Sequence, residues 1–378
     1  MNKYSMIMFL AVFSSIYFGL HYYVYHRISS GLSLTSHQSL YFRIFIYLGA
    51  LTFFASEILS RRITAGVWGE YASWVGLVWL GILSIAFTCL LLRDLSLIFF
   101  HSQNFKHLSV LISLSLICVI SVYSLWNAGR QPAVKAIELK SSKLSSEYNG
   151  FTIVQLSDIH IDFQTPLWWL RNIVTAANDA KPDVILITGD LIDADLCKKE
   201  ELCAILRGLK APRGVFATTG NHEFYVGLEK FTALCAATGI KALRNENTAV
   251  GDVFTLAGID DTQGERFYGT PVDIGKALSN PVNADRTKPI VLASHRPGVF
   301  DKAAAAGVDL TLSGHTHWGQ IPPVDLFVKL FERYSMGYYR KGDAAIYTTS
   351  GTGTWGPPMR LFSRSEIVKI VLRTENRE

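Results

Sequence analysis

The chain has too few cysteines, too widely placed, for a disulfide framework. Five occur in 378 residues. Cys89 and Cys118 fall in apolar runs, and Cys197, Cys203 and Cys235 stand apart, with a spacing that matches no thiolate zinc pattern. That argues against thiolate metal chemistry and leans to a reducing compartment. Charge is also scarce. Charged residues make up 18% of the sequence, below the quarter or so usual in soluble domains. Residues 1–130 hold only three acids, Glu57, Glu70 and Asp94, against eight basic residues, and the remainder holds 28 of each sign. The net charge of +5 therefore sits in the first third. A neutral C-terminal part offers no basic field, so no nucleic acid partner is expected.

What stands in place of charge in that first third is apolar length. Four runs, near 4–25, 41–59, 71–92 and 108–126, each approach the ~20 residues that span a bilayer. Arg27, Arg93, Asp94 and Lys106 fall in the breaks, and Tyr22, Tyr23, Tyr25, Trp74 and Trp126 lie near run ends, as aromatic belts do. His21 reads as interfacial. The expectation is a four-span anchor over 1–130, an integral membrane segment that puts both flanks on one side. The basic residues favour the cytoplasmic side by a single charge. No charge falls deep inside a run, so transport through the bundle has no support. Residues 131–150, with Pro132 and a serine-rich patch, read as a linker holding one edge strand over 133–139.

From residue 151 the pattern changes. Short apolar runs over 151–156, 184–188, 214–218, 253–259, 289–293, 308–312, 345–349 and 366–372 alternate with helical stretches over 168–180, 200–209, 228–237 and 300–306. Thr165 and Pro166 suit the cap and first position of the first of these helices. The alternation predicts a layered α/β domain over 151–378.

Chemistry-bearing residues follow those strands. Five of the ten histidines do so. Asp158-x-His160 puts an oxygen and an imidazole on one side of an extended chain. Gly189-Asp190-x-x-Asp193, Gly220-Asn221-His222-Glu223, Ser294-His295-Arg296 and Gly314-His315-x-His317 come after later strands. In open α/β sheets, ligands bind outside the carboxyl ends of strands. Carboxylate, imidazole and amide donors suit manganese, iron, zinc, cobalt or magnesium. Seven or eight donors exceed what one catalytic ion with open positions takes. Two ions about 3.5–4 Å apart, sharing a carboxylate, use them all, clamp a phosphoryl oxygen and generate hydroxide near neutral pH. Singly, Asp193 and Glu223 read equally well as turn or cap residues, and His295 as a satisfied buried histidine. The series as a whole points to metal.

Those five motifs resemble the calcineurin-like metallophosphoesterase superfamily, and Trp318-Gly319-Gln320 with Gly351–Arg360 look like its bacterial membrane-associated branch. The resemblance implies an α/β-sandwich with a dinuclear site at strand C-terminal ends. One ion would take Asp158, His160, Asp190 and His317, and the other Asp190, Asn221, His295 and His315, with Asp190 bridging and manganese the expected metal. His222 would ligate nothing; it would stabilise charge on the phosphoryl group and protonate the leaving oxygen. Asp193 and Glu223 would orient it. The protein-phosphatase branch carries Arg-Gly after Gly-Asp-x-x-Asp, but Ala194-Asp195 stand here, which argues against phosphoprotein substrates. Arg296 and Arg360 are the candidate phosphate grips instead.

The expected function is a membrane-anchored two-metal phosphohydrolase. Anchoring suits a lipid-linked phosphate compound, and UDP-2,3-diacylglucosamine of lipid A synthesis, cleaved on the cytoplasmic face of a bacterial inner membrane, is the comparison the resemblance brings. A general phosphodiesterase on nucleotides or small esters is the enzyme alternative, and a metal-binding membrane sensor or scaffold the non-enzyme one. Trp168 and the apolar stretch 325–331 are candidate membrane contacts.

Overall fold

A computed structural model describes residues 3–62, 67–162, 165–196, 200–281 and 283–375; Cys197 lies outside the described residues. Contacts divide the chain into two compact units. One comprises Met1–Gly129, Gln320–Leu326 and Gly356–Phe362, the other Arg130–Gly319, Phe327–Trp355 and Ser363–Glu378.

The first unit is built on four long helices, α1 (Lys3–Gly31), α2 (Ser36–Arg62), α3 (Val67–Ser96) and α4 (Gln103–Ala128). Among the described residues three segments, not four, are long and apolar enough to cross a membrane: Ser36–Ala55, Tyr71–Ser96 and Gln103–Ala128. His21, expected at the interface, packs among the helices. It is fully buried, with Nδ1 2.8 Å from the Tyr17 carbonyl and Nε2 accepting from Trp79 Nε1 at 3.0 Å. Both ring nitrogens are thereby satisfied by α1 and α3, as a buried polar group requires. Charged residues gather at one end, where Asp94 meets Arg27 at 2.7 Å and Tyr23 at 2.7 Å. Beside it, Arg93 Nε donates to Ser109 and Nη2 to the Lys106 carbonyl, both at 3.2 Å.

Two late segments belong to this helical unit. Ile321 and Met359 pack with Ile85, and Ser84 donates to the Pro322 carbonyl at 2.7 Å. Arg360 donates its backbone N–H to the Ser124 carbonyl and accepts Asn127 Nδ2 on its own carbonyl, each at 3.0 Å.

The second unit runs β1 (Ala133–Ser141), β2 (Thr152–Leu156), α5 (Leu167–Asp179), β3 (Val184–Thr188), α6 (Glu200–Leu206), β4 (Val215–Thr218), α7 (Asn221–Val226) and α8 (Leu228–Thr238). It continues through β5 (Lys241–Ala242), β6 (Glu246–Val250), β7 (Phe254–Gly258), α9 (Gln263–Tyr268), α10 (Ile274–Ser279), β8 (Ile290–Ala293), α11 (Phe300–Ala305) and β9 (Leu310–Ser313). The remaining elements are α12 (Val324–Phe331), whose first turn falls in the helical unit, β10 (Gly337–Lys341), β11 (Ala344–Thr348) and β12 (Glu366–Thr374). The start of α5 differs in detail from expectation. Pro166 is the cap residue, because the Thr165 hydroxyl is engaged with Asp162.

The strands form two six-stranded sheets, in the orders β1-β12-β2-β3-β4-β5 and β10-β11-β9-β8-β7-β6. Both are mixed. β2, β3 and β4 are parallel, as are β7, β8 and β9, while β12 meets β2 antiparallel and β6 and β10 are antiparallel outer strands. Ile153, Val184, Leu186 and Phe216 from one sheet share a buried cluster with Leu256, Val291, Leu310 and Tyr347 from the other. The opposite face of the first sheet is covered by α5, α6 and α8, and that of the second by α10 and α11. Strands buried on both faces explain why their sequences read as continuous apolar runs rather than alternating ones.

Candidate metal centre

The parallel strands of both sheets end at one edge, and the turns after them hold the polar residues. The turns after β2 and β3 are tied together by backbone bonds from Asp158 N to the Gly189 carbonyl and from His160 N to the Asp190 carbonyl, both 3.0 Å. Five side chains there sit on left-handed backbone although none is glycine: Asp158 (φ 52°), His160 (54°), Asp190 (50°), His315 (71°) and His317 (47°). Such residues cost of order 1–3 kcal/mol each and cluster at functional sites. Gly220 is needed for a different reason. A Cβ there would stand 2.1 Å from Asp190 Oδ1, so only glycine lets the turn after β4 close on that carboxylate.

Two groups of donors result. His160 Nε2 lies 3.1 Å from His317 Nε2, which is 3.3 Å from Asp158 Oδ1. His295 Nε2 lies 3.1 Å from Asn221 Oδ1 and 3.0 Å from His315 Nδ1. Asp190 Oδ2 stands between them, 3.7 Å from His160 Nε2 and 3.2 Å from His295 Nε2. Asp158–His160–His317 and Asp190–His295–His315 each present ligand atoms close enough to share one ion. Paired imidazole nitrogens facing each other among carboxylates are a donor set for a hard or borderline divalent ion, so these residues fit the metals their family of motifs implies.

The surrounding groups divide the labour. Asp193 Oδ1 is 2.8 Å from His160 Nδ1 and also 2.8 Å from His222 Nδ1. It fixes both rings and leaves Nε2 of each for chemistry. His222 donates its backbone N–H to Asp190 Oδ1 at 2.9 Å, and its ring is near-perpendicular to that of His160, 4.7 Å away. Glu223 does not orient His222. Its carboxylate accepts the N–H groups of Gly220 (2.6 Å), Asp190 (3.0 Å), Leu191 (2.7 Å) and Ile192 (3.2 Å). Its role is to pin the turn that carries Asp190 against the start of α7.

Arg296 reaches the centre, with Nη1 2.7 Å from His315 Nε2. It is anchored through Nε to Asp261 Oδ2 at 2.7 Å, and the Asp261 side chain is fully buried. Asp261 is absent from the motifs. The signal that finds it is its place just beyond the end of β7, the same strand-end rule that marks the ligands. Arg360 belongs to the helical unit, where it is fully buried.

Electrostatics follow from burying opposite charges together. Burial alone would lower the pKa of His160 and His295, but the carboxylates of Asp193, Asp190 and Asp158 raise the first to about 9, and Asp190 foremost raises the second to about 10. Burial likewise opposes ionisation of Asp158, Asp190 and Asp193, yet the neighbouring imidazoles hold all three below the usual carboxylate range. Burial, with His295 and Arg296 beside it, lowers His315 to about 2. Burial and Asp190 raise Glu223 to about 7.

A stability profile follows. The raised histidines stabilise the fold fully below their unfolded value of 6.5 and lose that contribution as pH rises through 9 to 10. The depressed aspartates contribute above their unfolded value of 3.8 and lose it as pH falls. Metal-free protein is therefore expected to melt at a lower temperature at pH 9.5 than at pH 6. With manganese the imidazoles must be unprotonated, so that alkaline loss should vanish. Melting curves in chelator and in manganese check both; a chelated protein that gains stability over this range would contradict the charge pairing.

Comparison with known proteins places residues 151–319 against the family model for the calcineurin-like phosphoesterase. A transmembrane protein with metallophosphoesterase domain from Danio rerio is 36% identical over 274 residues, 69% of this chain and 62% of its own, so the match leaves more than a third of that relative uncovered. An uncharacterized metallophosphoesterase of Campylobacter jejuni is 34% identical over 273 residues, covering 70% of this chain and 71% of its own. Among solved structures, a dimetal phosphatase from Danio rerio covers 60% of this chain and 93% of its own at 14% identity, with a TM-score of 0.36.

Proposed function

Because the chain belongs to the calcineurin-like metallophosphoesterase family, we propose that it is a phosphohydrolase using two divalent ions, manganese the first choice, on a phosphoester or pyrophosphate bond. The observation that carries the two-ion reading is the position of Asp190 Oδ2 between His160 and His295, with a donor group on either side. The ions, when bound, supply a Lewis-acid clamp on the phosphoryl oxygens and an activated water.

The chain's own residues do the rest. Asp158, His160, Asp190 and His317 would hold one ion, and Asp190, Asn221, His295 and His315 the other. Asp193 holds the His222 ring through Nδ1 and leaves Nε2 as the atom that would give the leaving oxygen its proton. Arg296, fixed by buried Asp261, brings a cation to the centre, where a phosphate oxygen is its natural partner. Glu223 keeps the Asp190 turn in register.

The substrate we propose is a lipid-linked phosphate compound, acted on by a unit on the cytoplasmic side. The apolar helices support a membrane setting. So does α12, which exposes Leu326, Phe327, Leu330 and Phe331 alongside Lys329, a composition suited to a bilayer surface. Exposed Trp168 is a lesser contact of the same kind. Detergent-solubilised full-length protein with manganese should hydrolyse bis(4-nitrophenyl) phosphate and release UMP from UDP-2,3-diacylglucosamine, both blocked by chelator. Aryl diester turnover without UMP discards that lipid and leaves a more general phosphodiesterase. Inactivity toward both substrates leaves a metal-binding membrane sensor.

A further inference from the structure

The metal centre is bordered on one side by aromatic rings that the mechanism above does not use. Trp355, Tyr225 and Phe267 are 55%, 53% and 51% exposed. Scattered exposed aromatics are ordinary, but these three are linked in one series of ring contacts that runs through His222. His222 lies edge-on to Trp355, with centroids 5.8 Å apart, and to Tyr225, at 5.3 Å. Tyr225 in turn meets Phe267 at 5.8 Å. His222 and Tyr225 are three residues apart in α7 and so share a helix face. The outer end is held in place. Leu228 N donates to the Tyr268 hydroxyl at 3.2 Å, and the Tyr268 ring packs on Phe224 at 5.7 Å. The Arg266 guanidinium lies over Phe267, 5.8 Å from its centroid.

We propose that Trp355, Tyr225 and Phe267 form an apolar subsite for the leaving group of the substrate. The substrate class is then a phosphoester or pyrophosphate whose departing alcohol or phosphate carries a large apolar or planar body. This rests on the reading of His222 as the group that protonates the leaving oxygen. A proton donor must lie within hydrogen-bond reach of that oxygen, so whatever the oxygen is attached to emerges beside the His222 ring. Polar walls would suit a sugar or glycerol there; this wall is three aromatic residues, each about half exposed. Acyl chains bury area on such faces, and nucleobases stack on them. Both sources present the same chemistry, and the experiment separates them.

The test uses full-length protein in detergent with manganese. Turnover of bis(4-nitrophenyl) phosphate is measured against two inhibitor pairs: glycerol 3-phosphate with its dihexanoyl form, and ribose 5-phosphate with adenosine 5′-phosphate. The member with the apolar body should bind about tenfold more tightly in at least one pair; the acyl pair identifies a lipid source and the nucleoside pair a base. In Trp355→Ala combined with Tyr225→Ala, that preference should collapse. KM for the aryl diester should rise about tenfold, and most of the loss should fall on KM rather than kcat. Trp355→Phe should recover most of the preference, which a merely structural role would not require. Equal inhibition within both pairs, or a double variant that keeps the preference, overturns the subsite. A His222→Ala variant whose loss does not depend on leaving-group basicity overturns the reading beneath it instead.

Discussion

Asp190→Asn should reduce phosphodiester hydrolysis to the uncatalysed background, a loss of more than about a thousandfold, while leaving the protein folded. Its Oδ2 is the oxygen that faces both donor groups. An amide keeps the shape, and its oxygen can still accept the His222 N–H now received by Oδ1. What it removes is the negative charge that two cations share. Bound manganese, counted after desalting, should fall below two per chain in step with activity. Full activity with two ions retained would show that some other group bridges. A loss of activity accompanied by a collapsed melting transition would instead mean that the anion is needed to offset His160 and His295 in the fold.

His222→Ala should lower kcat by about 10² to 10⁴, the usual contribution of a positioned acid, and the size of the loss should depend on the substrate. A 4-nitrophenolate leaves without help, so the variant should lose least on the aryl diester. An alkoxide leaving group needs the proton, so the variant should lose most on an alkyl ester. Metal content should not change, because His222 Nδ1 faces Asp193 rather than the paired ligand nitrogens. Plotting log kcat against the pKa of the leaving alcohol for both proteins measures this directly. Parallel lines would assign His222 to charge stabilisation alone, and an unchanged kcat would remove it from the reaction.

The parts of this site that were legible in the sequence are those carried by strand ends. A buried strand such as β3 is an apolar run, and the polar residue that breaks it, Asp190, is conspicuous. Asp261 was hidden by the same logic. It follows β7 as Asp190 follows β3, but in Asp260-Asp261-Thr262 it reads as a turn. Its partner Arg296 lies 35 residues on, brought near only because β7 pairs with β8, Gly258 opposite Ala293. Glu223 was legible as a residue of interest but not in its role, since four accepted N–H groups depend on how two distant turns meet.

The polypeptide passes between its two units five times, since Gln320–Leu326 and Gly356–Phe362 return to the helical one. Biosynthesis is therefore not modular. Helices α1 to α4 leave the ribosome first, yet their packing lacks Ile321 and Met359 until residue 362 has been made. At about 5–20 residues per second, that wait is on the order of tens of seconds. Throughout it Ile85 lacks two of the residues it packs with, and the bundle's completion waits on a segment that comes just before the last strand, β12.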